Sequence, residues 1–396
     1  MRILQIINAF YPPYSSGGAA FVAYEISKAL AKRGHEVTVF TTNVLNSNCL
    51  FASKKKFFNY NKINVRYFNN LLYKPSMHIY FSKELISTLK KEISDFDIVH
   101  VHEYRSYIAL TTYYYAKKRG LPFVLQAHGQ LPIVGSSKIL KISYDFLLGY
   151  KVLKNANGVI ALSRIEARQY ENMGVPRERI FIVPNGIDIS EYSNLPPKGA
   201  FRKKFNIPED KKIILYLGRI HKLKGIDFLI RAYAFLNTKL NFKDAFLVIA
   251  GPDDGYLSVA KSLVQELGVS NSVLFTGSLS QQDKISAYTD ASVVTYLGPF
   301  EPYGLVSLEA AACETPVIVA DRTPMAEIIN KGKFGFSVRY GDVISLASVL
   351  HKLLSDEKLA KSLGKKGRSY IFSNFGWDRI IENYIKIYEK VINRKI

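Results

Sequence analysis

Short β-branched runs alternate with stretches of helical spacing along almost the whole chain. Residues 2–8 (RILQIIN) read as a strand and 19–33 (AAFVAYEISKALAKR) as a helix through Val22, Ile26 and Leu30. Gly34 stops that helix before EVTVFTT at 36–42. Further strands are predicted at 97–102 (DIVHVH), 122–128 (PFVLQAH), 158–163 (GVIALS) and 179–185 (RIFIVPN), several separated by amphipathic stretches. Parallel strands need long return connections, so this alternation specifies a parallel sheet with helices on both faces.

The pattern breaks once. SNLPPKGAFRKKFNIPEDKK (193–212) is rich in proline, lysine and turn formers and reads as a linker. Strands then resume at 212–218, 245–251, 272–277, 291–297 and 316–321, with helices predicted from about 226 and through 257–267. With 396 residues, 48% of them hydrophobic, there is material for two domains. We place them at 1–195 and 196–375. The last stretch, 376–396, holds an amphipathic helix with Ile380, Ile381, Tyr384, Ile385, Ile387, Tyr388 and Val391 on a broad apolar side. Such a helix needs a groove. The one between the halves is a natural candidate, and we expect the helix to pack back on the N-terminal domain.

Lys and Arg number 54 against 33 Asp and Glu, a net charge of +21. That surplus suits polyanions: nucleic acid, an anionic membrane face or phosphorylated substrates. Cys49 and Cys313 are far apart and give neither a disulfide framework nor a metal pair, as expected in a reducing cytosol. The opening MRILQIINAFYPPYSSGG suits a buried strand better than a signal peptide, and no apolar run approaches the ~20 residues that span a bilayer. We expect a cytoplasmic protein that meets membranes, if at all, from the side.

Open parallel sheets bind ligands at the carboxyl ends of their strands. In YLGRIHKLKGIDFLI (216–230) a strand ends at Gly218, Arg219 and Lys224 follow, and a helix begins near Gly225. A guanidinium fork, an ammonium and a helix start together suit a diphosphate; the alternative is a solvated basic loop. In FEPYGLVSLEAAACETP (300–316) a turn leads to a helix from Leu305 to about Cys313. Gly304 lets a ligand approach the backbone, leaving the amides of Leu305 and Val306 for phosphate oxygens. Glu301 before the helix and Glu309 within it are candidate diol readers, since a carboxylate accepts two hydroxyl hydrogens. The alternative is that each faces solvent. Gly17 and Gly18 form a loop between the first strand and helix, but the pattern is not G-x-G-x-x-G, which excludes an NAD-type fingerprint. Asp95-Phe96-Asp97 opens a strand instead of closing one, a poor context for a metal.

Taken together, these pieces resemble the family 4 glycosyltransferases, retaining enzymes of the GT-B fold, over essentially the whole chain. The resemblance runs through the Gly17-Gly18 loop, RGHEVTVFT (33–41), DIVHVH (97–102), QAHG (126–129), PNGID (184–188), GR…KG (218–225) and EPYGLVSLE (301–309). It implies an α/β protein with two Rossmann-like domains facing a central cleft. The N-terminal domain would bind acceptor and the C-terminal domain a nucleotide-sugar donor. Arg219 and Lys224 would neutralise the diphosphate, Glu309 would hold the ribose and Glu301 the donor-sugar hydroxyls. Tyr303, Gly304, Leu305 and Val306 would line the donor, with Gly17 and Gly18 near its phosphate or sugar. His128 would sit against the donor sugar. His35, His100 and His102 read as scaffold groups, as do Asn185 and Asp188. The family usually has glycine where Glu314 stands, and a left-handed backbone there costs about 1 kcal/mol.

The implied reaction moves a hexosyl group from a UDP- or GDP-sugar to a hydroxyl of a glycan or lipid-linked acceptor, with retention and without a metal or prosthetic group. Lys224→Ala or Glu301→Gln is then expected to fold normally and lose most transfer. Residues 54–74 and 138–154 mix Lys with Tyr, Phe and Leu. Either they form a basic, aromatic surface for a membrane-borne acceptor, or they are core helices with lysines on the wet side. Other classes stay open: a non-catalytic basic protein binding membrane or nucleic acid, or a phosphorylase or epimerase of the same architecture. No nucleic-acid partner is expected of the transferase.

Overall fold

The computed structural model describes residues 1–10, 17–46, 49–50, 57–74, 79–134 and 137–394. The chain divides into two compact units, Met1–Gly186 with Trp377–Ile396, and Ile187–Gly376.

The first unit is built on an eight-stranded sheet in the order Ile180–Ile182, Gly158–Ala161, Phe123–Gln126, Ile98–His102, Arg2–Ile6, Glu36–Thr42, Ile63–Phe68, Phe57–Tyr60. All neighbours are parallel except the final hairpin. The central strands are fully buried, which is why they read as continuous apolar runs instead of alternating ones. Within that core lies a polar stripe. Register pairs Gln5 with His100 and Gln126 with His102 on adjacent strands, and residues two apart on one strand share a face. The C-terminal helix Trp377–Asn393 covers the stripe. Its Tyr388 hydroxyl lies 2.7 Å from His100 Nδ1, and its Tyr384 hydroxyl donates to Gln126 Oε1 at 3.2 Å.

Two stretches differ from expectation. Within 54–74, residues Phe57–Tyr60 and Ile63–Phe68 form the edge hairpin of the sheet, while 54–56 lie outside the described residues. Segment 138–154 is helical and splits between the two readings: its Lys138–Tyr144 portion has no buried residue, whereas Val152 and Leu153 enter the core.

The second unit carries a six-stranded, wholly parallel sheet, ordered Val273–Gly277, Ala245–Ala250, Lys212–Leu217, Ala291–Tyr296, Val317–Ala320, Gly335–Val338. Its core joins Ile214, Leu247 and Val293 of the sheet to Leu229, Tyr233, Leu346 and Leu350 of the covering helices.

Candidate active site

In the second unit the strand order turns around between Lys212–Leu217 and Ala291–Tyr296. Connections leaving two such neighbours diverge to opposite faces, and the gap at their carboxyl ends is where open α/β sheets take ligands. One of these two connections carries Arg219 and Lys224. The other carries Glu301 and enters the helix Leu305–Ala312.

Lys224 closes a single 3-10 turn that starts at His221, whose Nδ1 accepts the Leu223 amide at 3.1 Å. His221 is thus a capping group. Gly225 follows with φ +70, and a Cβ there would stand 2.8 Å from the Leu297 carbonyl oxygen. Only glycine lets the two connections touch at this point, and the contact sets Lys224 beside Glu301. Lys224 Nζ donates to Glu301 Oε1 at 2.6 Å, and the Tyr296 hydroxyl donates to Oε2 at 2.5 Å. Glu301 is only 6% exposed. Burial first, and the Glu301 charge second, raise the Tyr296 phenol well above its ordinary range, so it stays a donor.

The Lys224–Glu301 pair ties the site to the fold. Both side chains are largely out of solvent, and removing one strands the other's charge. Arg219 differs: its side chain is 63% exposed and pairs with Asp254 Oδ2 at 2.6 Å.

Glu309 repeats the motif one element away. Its Oε2 accepts the Tyr288 hydroxyl at 2.7 Å and lies 3.2 Å from Lys284 Nζ. The solvent-facing alternative therefore fails for both acids. Each carboxylate is held by one lysine and one tyrosine, which uses part of its accepting capacity and leaves lone pairs for further hydroxyls. Gly304 precedes the helix at φ +96, with Tyr303 buried beside it. The first-turn amides of Leu305 and Val306 have no acceptor within the helix.

The first unit has its own reversal of strand order, between Arg2–Ile6 and Ile98–His102. Asn8 follows the first of these strands and Glu103 the second, and Asn8 Nδ2 donates to Glu103 Oε2. Glu103 has φ +83, and burial pushes its carboxyl up to about 7. His128 lies two residues past the end of the next strand, at φ +51. Its Nε2 lies 2.9 Å from His102 Nδ1, and His102 Nε2 reaches Gln5 Oε1. Because that oxygen can only accept, His102 carries its proton on Nε2 and accepts on Nδ1. His128 then donates from Nε2 and keeps a lone pair on Nδ1. Burial lowers His128 to about 3 and keeps it neutral. Glu166 buttresses the same turn, accepting the Gly129 amide and the Leu162 amide, each at 2.7 Å.

Gly17 and Gly18 begin the helix Gly17–Lys32, and the preceding 11–16 lie outside the described residues. Asp188 accepts the Ser190 amide at 3.1 Å and Asn185 is buried. Asp97 accepts the Arg2 amide at 2.7 Å at the amino end of the sheet, away from the strand ends where ligands bind. Among the described residues no group of three or more His, Cys, Asp or Glu could hold a metal ion. Sequence reasoning missed Tyr296, Tyr288, Lys284, Asn8, Glu103 and Glu166. Glu103, next to the DIVHVH strand, was the one with a usable signal, as a charged residue at a predicted strand end.

Residues 197–370 match the family described as Glycosyl transferases group 1, and residues 16–191 match that described as Glycosyltransferase Family 4. N-acetyl-alpha-D-glucosaminyl L-malate synthase of Bacillus anthracis is 27% identical over 394 residues, covering 98% of this chain and 97% of that protein. A D-inositol 3-phosphate glycosyltransferase of Xylanimonas cellulosilytica is 24% identical, covering 96% and 93%. Among solved structures, Anabaena HepE in complex with UDP aligns with TM-score 0.79 at 18% identity, covering 98% of this chain and 100% of that one. Sucrose-phosphate synthase of Thermosynechococcus elongatus aligns with TM-score 0.76 at 21% identity, covering 99% of each.

Proposed function

Because the chain belongs to the family 4 glycosyltransferases and has their GT-B fold, we propose that it is a retaining, metal-independent hexosyltransferase acting on a nucleotide-diphosphate sugar. The acceptor is a hydroxyl of a glycan or lipid-linked molecule. The neighbour solved with UDP favours a UDP-sugar over a GDP-sugar. In this reading residues 196–375 bind donor, and residues 1–195 with the helix from 376–396 bind acceptor, on the cytoplasmic side of a membrane.

The observation that carries the reading is the Lys224–Glu301–Tyr296 cluster at the turning point of the second sheet, beside exposed Arg219 and the start of Leu305–Ala312. Arg219 and the helix amides meet the diphosphate. Lys224 supplies charge to it while fixing Glu301, whose remaining lone pairs read sugar hydroxyls. Tyr303 and Gly304 shape the sugar's bed, and Glu309 takes the ribose. As the glycosidic bond breaks, charge grows on the β-phosphate. The fixed cations and dipoles stabilise it without reorganising, and the departing phosphate oxygen takes the acceptor proton on the same face.

Arg219→Ala gives the clean test, because that side chain is exposed and its loss strands no buried charge. Losing one preorganised group of this kind costs about 3 kcal/mol, roughly a hundredfold in rate. Labelled UDP- and GDP-sugars are offered with and without acceptor extracts, with thermal melting in parallel. The reading requires a hundredfold slower transfer at unchanged melting temperature; wild-type turnover in Arg219→Ala refutes it.

A further inference from the structure

The helical segment after the His128 strand is inside out. Lys138–Tyr144, a π-helical turn Asp145–Gly149 and Tyr150–Asn155 run on without interruption. A surface helix ordinarily turns its apolar stripe inward and its charges outward. Here Ile139 is 80% exposed, Phe146 78% and Leu147 68%, with Leu140 and Ile142 also more than half exposed.

Over Lys138–Gly149 what faces the protein is polar, before Val152 and Leu153 turn into the core. Asp145 forms a buried ion pair with Arg105, Oδ2 to Nη2 at 2.6 Å and Oδ1 to Nε at 2.9 Å. The Tyr144 hydroxyl donates to the Tyr104 carbonyl at 3.1 Å, and Lys141 Nζ donates to the Val134 carbonyl at 2.6 Å. A Cβ on Gly149 would fall 2.0 Å from the Tyr104 hydroxyl, so the backbone sits flush against the unit. Directed bonds thus pin the segment in place with its aliphatic side outward. Beside it runs a groove of about 410 Å³ lined by Leu110, Tyr113, Tyr114, Leu148 and Lys151, which extends the apolar surface.

Charge identifies the occupant. Between Glu103 and Glu166 the sequence holds nine Lys and Arg residues and one acid, Asp145, which is already paired with Arg105. Lys138, Lys151 and Lys154 are exposed along the segment itself. A second copy of this chain docking the same face would bring like charge against like. Apolar side chains ringed by lysines instead match an anionic bilayer, where they enter the acyl boundary and ammonium groups meet lipid phosphates.

We propose that residues 138–150 dock this protein on an anionic phospholipid membrane, with Ile139, Ile142, Phe146 and Leu147 entering the headgroup boundary. The proposal deepens the reading of a lipid-linked acceptor and rests on it for its purpose. Vesicle binding is read without sugar donor, so the two fail separately.

The full chain is floated with vesicles of phosphatidylglycerol and phosphatidylcholine, or of phosphatidylcholine alone. Wild-type protein is expected to float with the anionic vesicles and to be released by salt. Phe146→Ser with Leu147→Ser should cut binding at least tenfold while melting temperature and soluble-donor hydrolysis stay unchanged. Lys138→Glu with Lys151→Glu should abolish the preference for anionic vesicles. A Leu147→Trp variant should shift its emission to the blue on vesicles. Wild-type-like flotation of the serine variant, no blue shift, or a wild-type dimer that this variant dissolves would each overturn the proposal. Vesicle binding that depends on this face, in a protein that transfers no sugar, would leave the docking surface standing and sink the assigned reaction.

Discussion

Glu314 shows what a single residue costs at the end of a helix. It follows the helix Leu305–Ala312 at φ +62. Its amide donates to Ala311 O at 3.1 Å, and the Thr315 amide donates to Ala310 O at 3.0 Å. These are the paired bonds of a Schellman ending, whose left-handed residue is ordinarily glycine. Glu314 keeps that geometry without a close partner, its nearest cation being Arg368 Nε at 3.9 Å. Glu314→Gly should therefore stabilise the fold by about 0.5–1 kcal/mol, read as a higher urea midpoint at unchanged slope. The backbone itself cannot move to relieve the strain. A Cβ on Gly364 would lie 1.9 Å from the Glu314 carbonyl, so Gly364→Ala should lower the midpoint. If Glu314→Gly destabilises instead, its left-handed backbone is not the strained feature argued here.

At the scale of elements, the C-terminal helix decides how the histidine row is held. Tyr388 and Tyr384 reach from it into the polar stripe of the first sheet, and Ile380, Ile381 and Val391 bury beside them. Tyr388→Phe keeps the ring packed but leaves His100 Nδ1 buried without a partner, which costs about 1–3 kcal/mol. Tyr384→Phe, which loses a longer bond, should cost less; equal losses would mean that ring packing, not the hydrogen bond, does the holding. This helix was legible in the sequence because its apolar side has the 3.6 period and its wet side is charged. The central strands and the stretch Glu301–Glu309 were legible for similar reasons, since a buried strand or a glycine before a helix leaves a local signature. The hairpin Phe57–Tyr60 and Ile63–Phe68 was not, because an edge pair with mixed aromatics and lysines carries no clear period. Nor were Tyr288, Lys284 and Tyr296: their positions against the two acids follow from which strands become neighbours, and no local pattern reports that. Segment 138–150 left two readings open for the opposite reason. Its pattern is that of an ordinary amphipathic helix, and only Arg105, more than thirty positions away, reveals which side faces in.

For the whole molecule, buried ionisable groups set how stability follows pH, and they pull in opposite directions. Burial lowers His100, His102 and His128, the last to about 3, so the folded state refuses protons that an unfolded chain takes up below about 6.5. Those three groups make stability fall as pH drops from 6.5 towards 4. Burial raises Glu103 and Glu166 to about 7, so the folded state keeps protons that the unfolded chain gives up above about 4.5. Their contribution is full below 4.5 and is lost as pH climbs through 7. Between 4.5 and 6.5 three histidines oppose two acids, so stability should rise with pH. Above 6.5 the acids act alone and the slope reverses, which puts the maximum near pH 6.5. Glu166→Gln removes one of the opposing acids and should steepen the rising limb. Trp377, the only tryptophan, is buried in the same unit as all five groups, so its fluorescence during urea unfolding follows the right transition. Superimposable slopes for wild type and Glu166→Gln would mean that Glu166 is ionised in the folded protein, and the buttress behind His128 would then be a charge instead of a neutral acid.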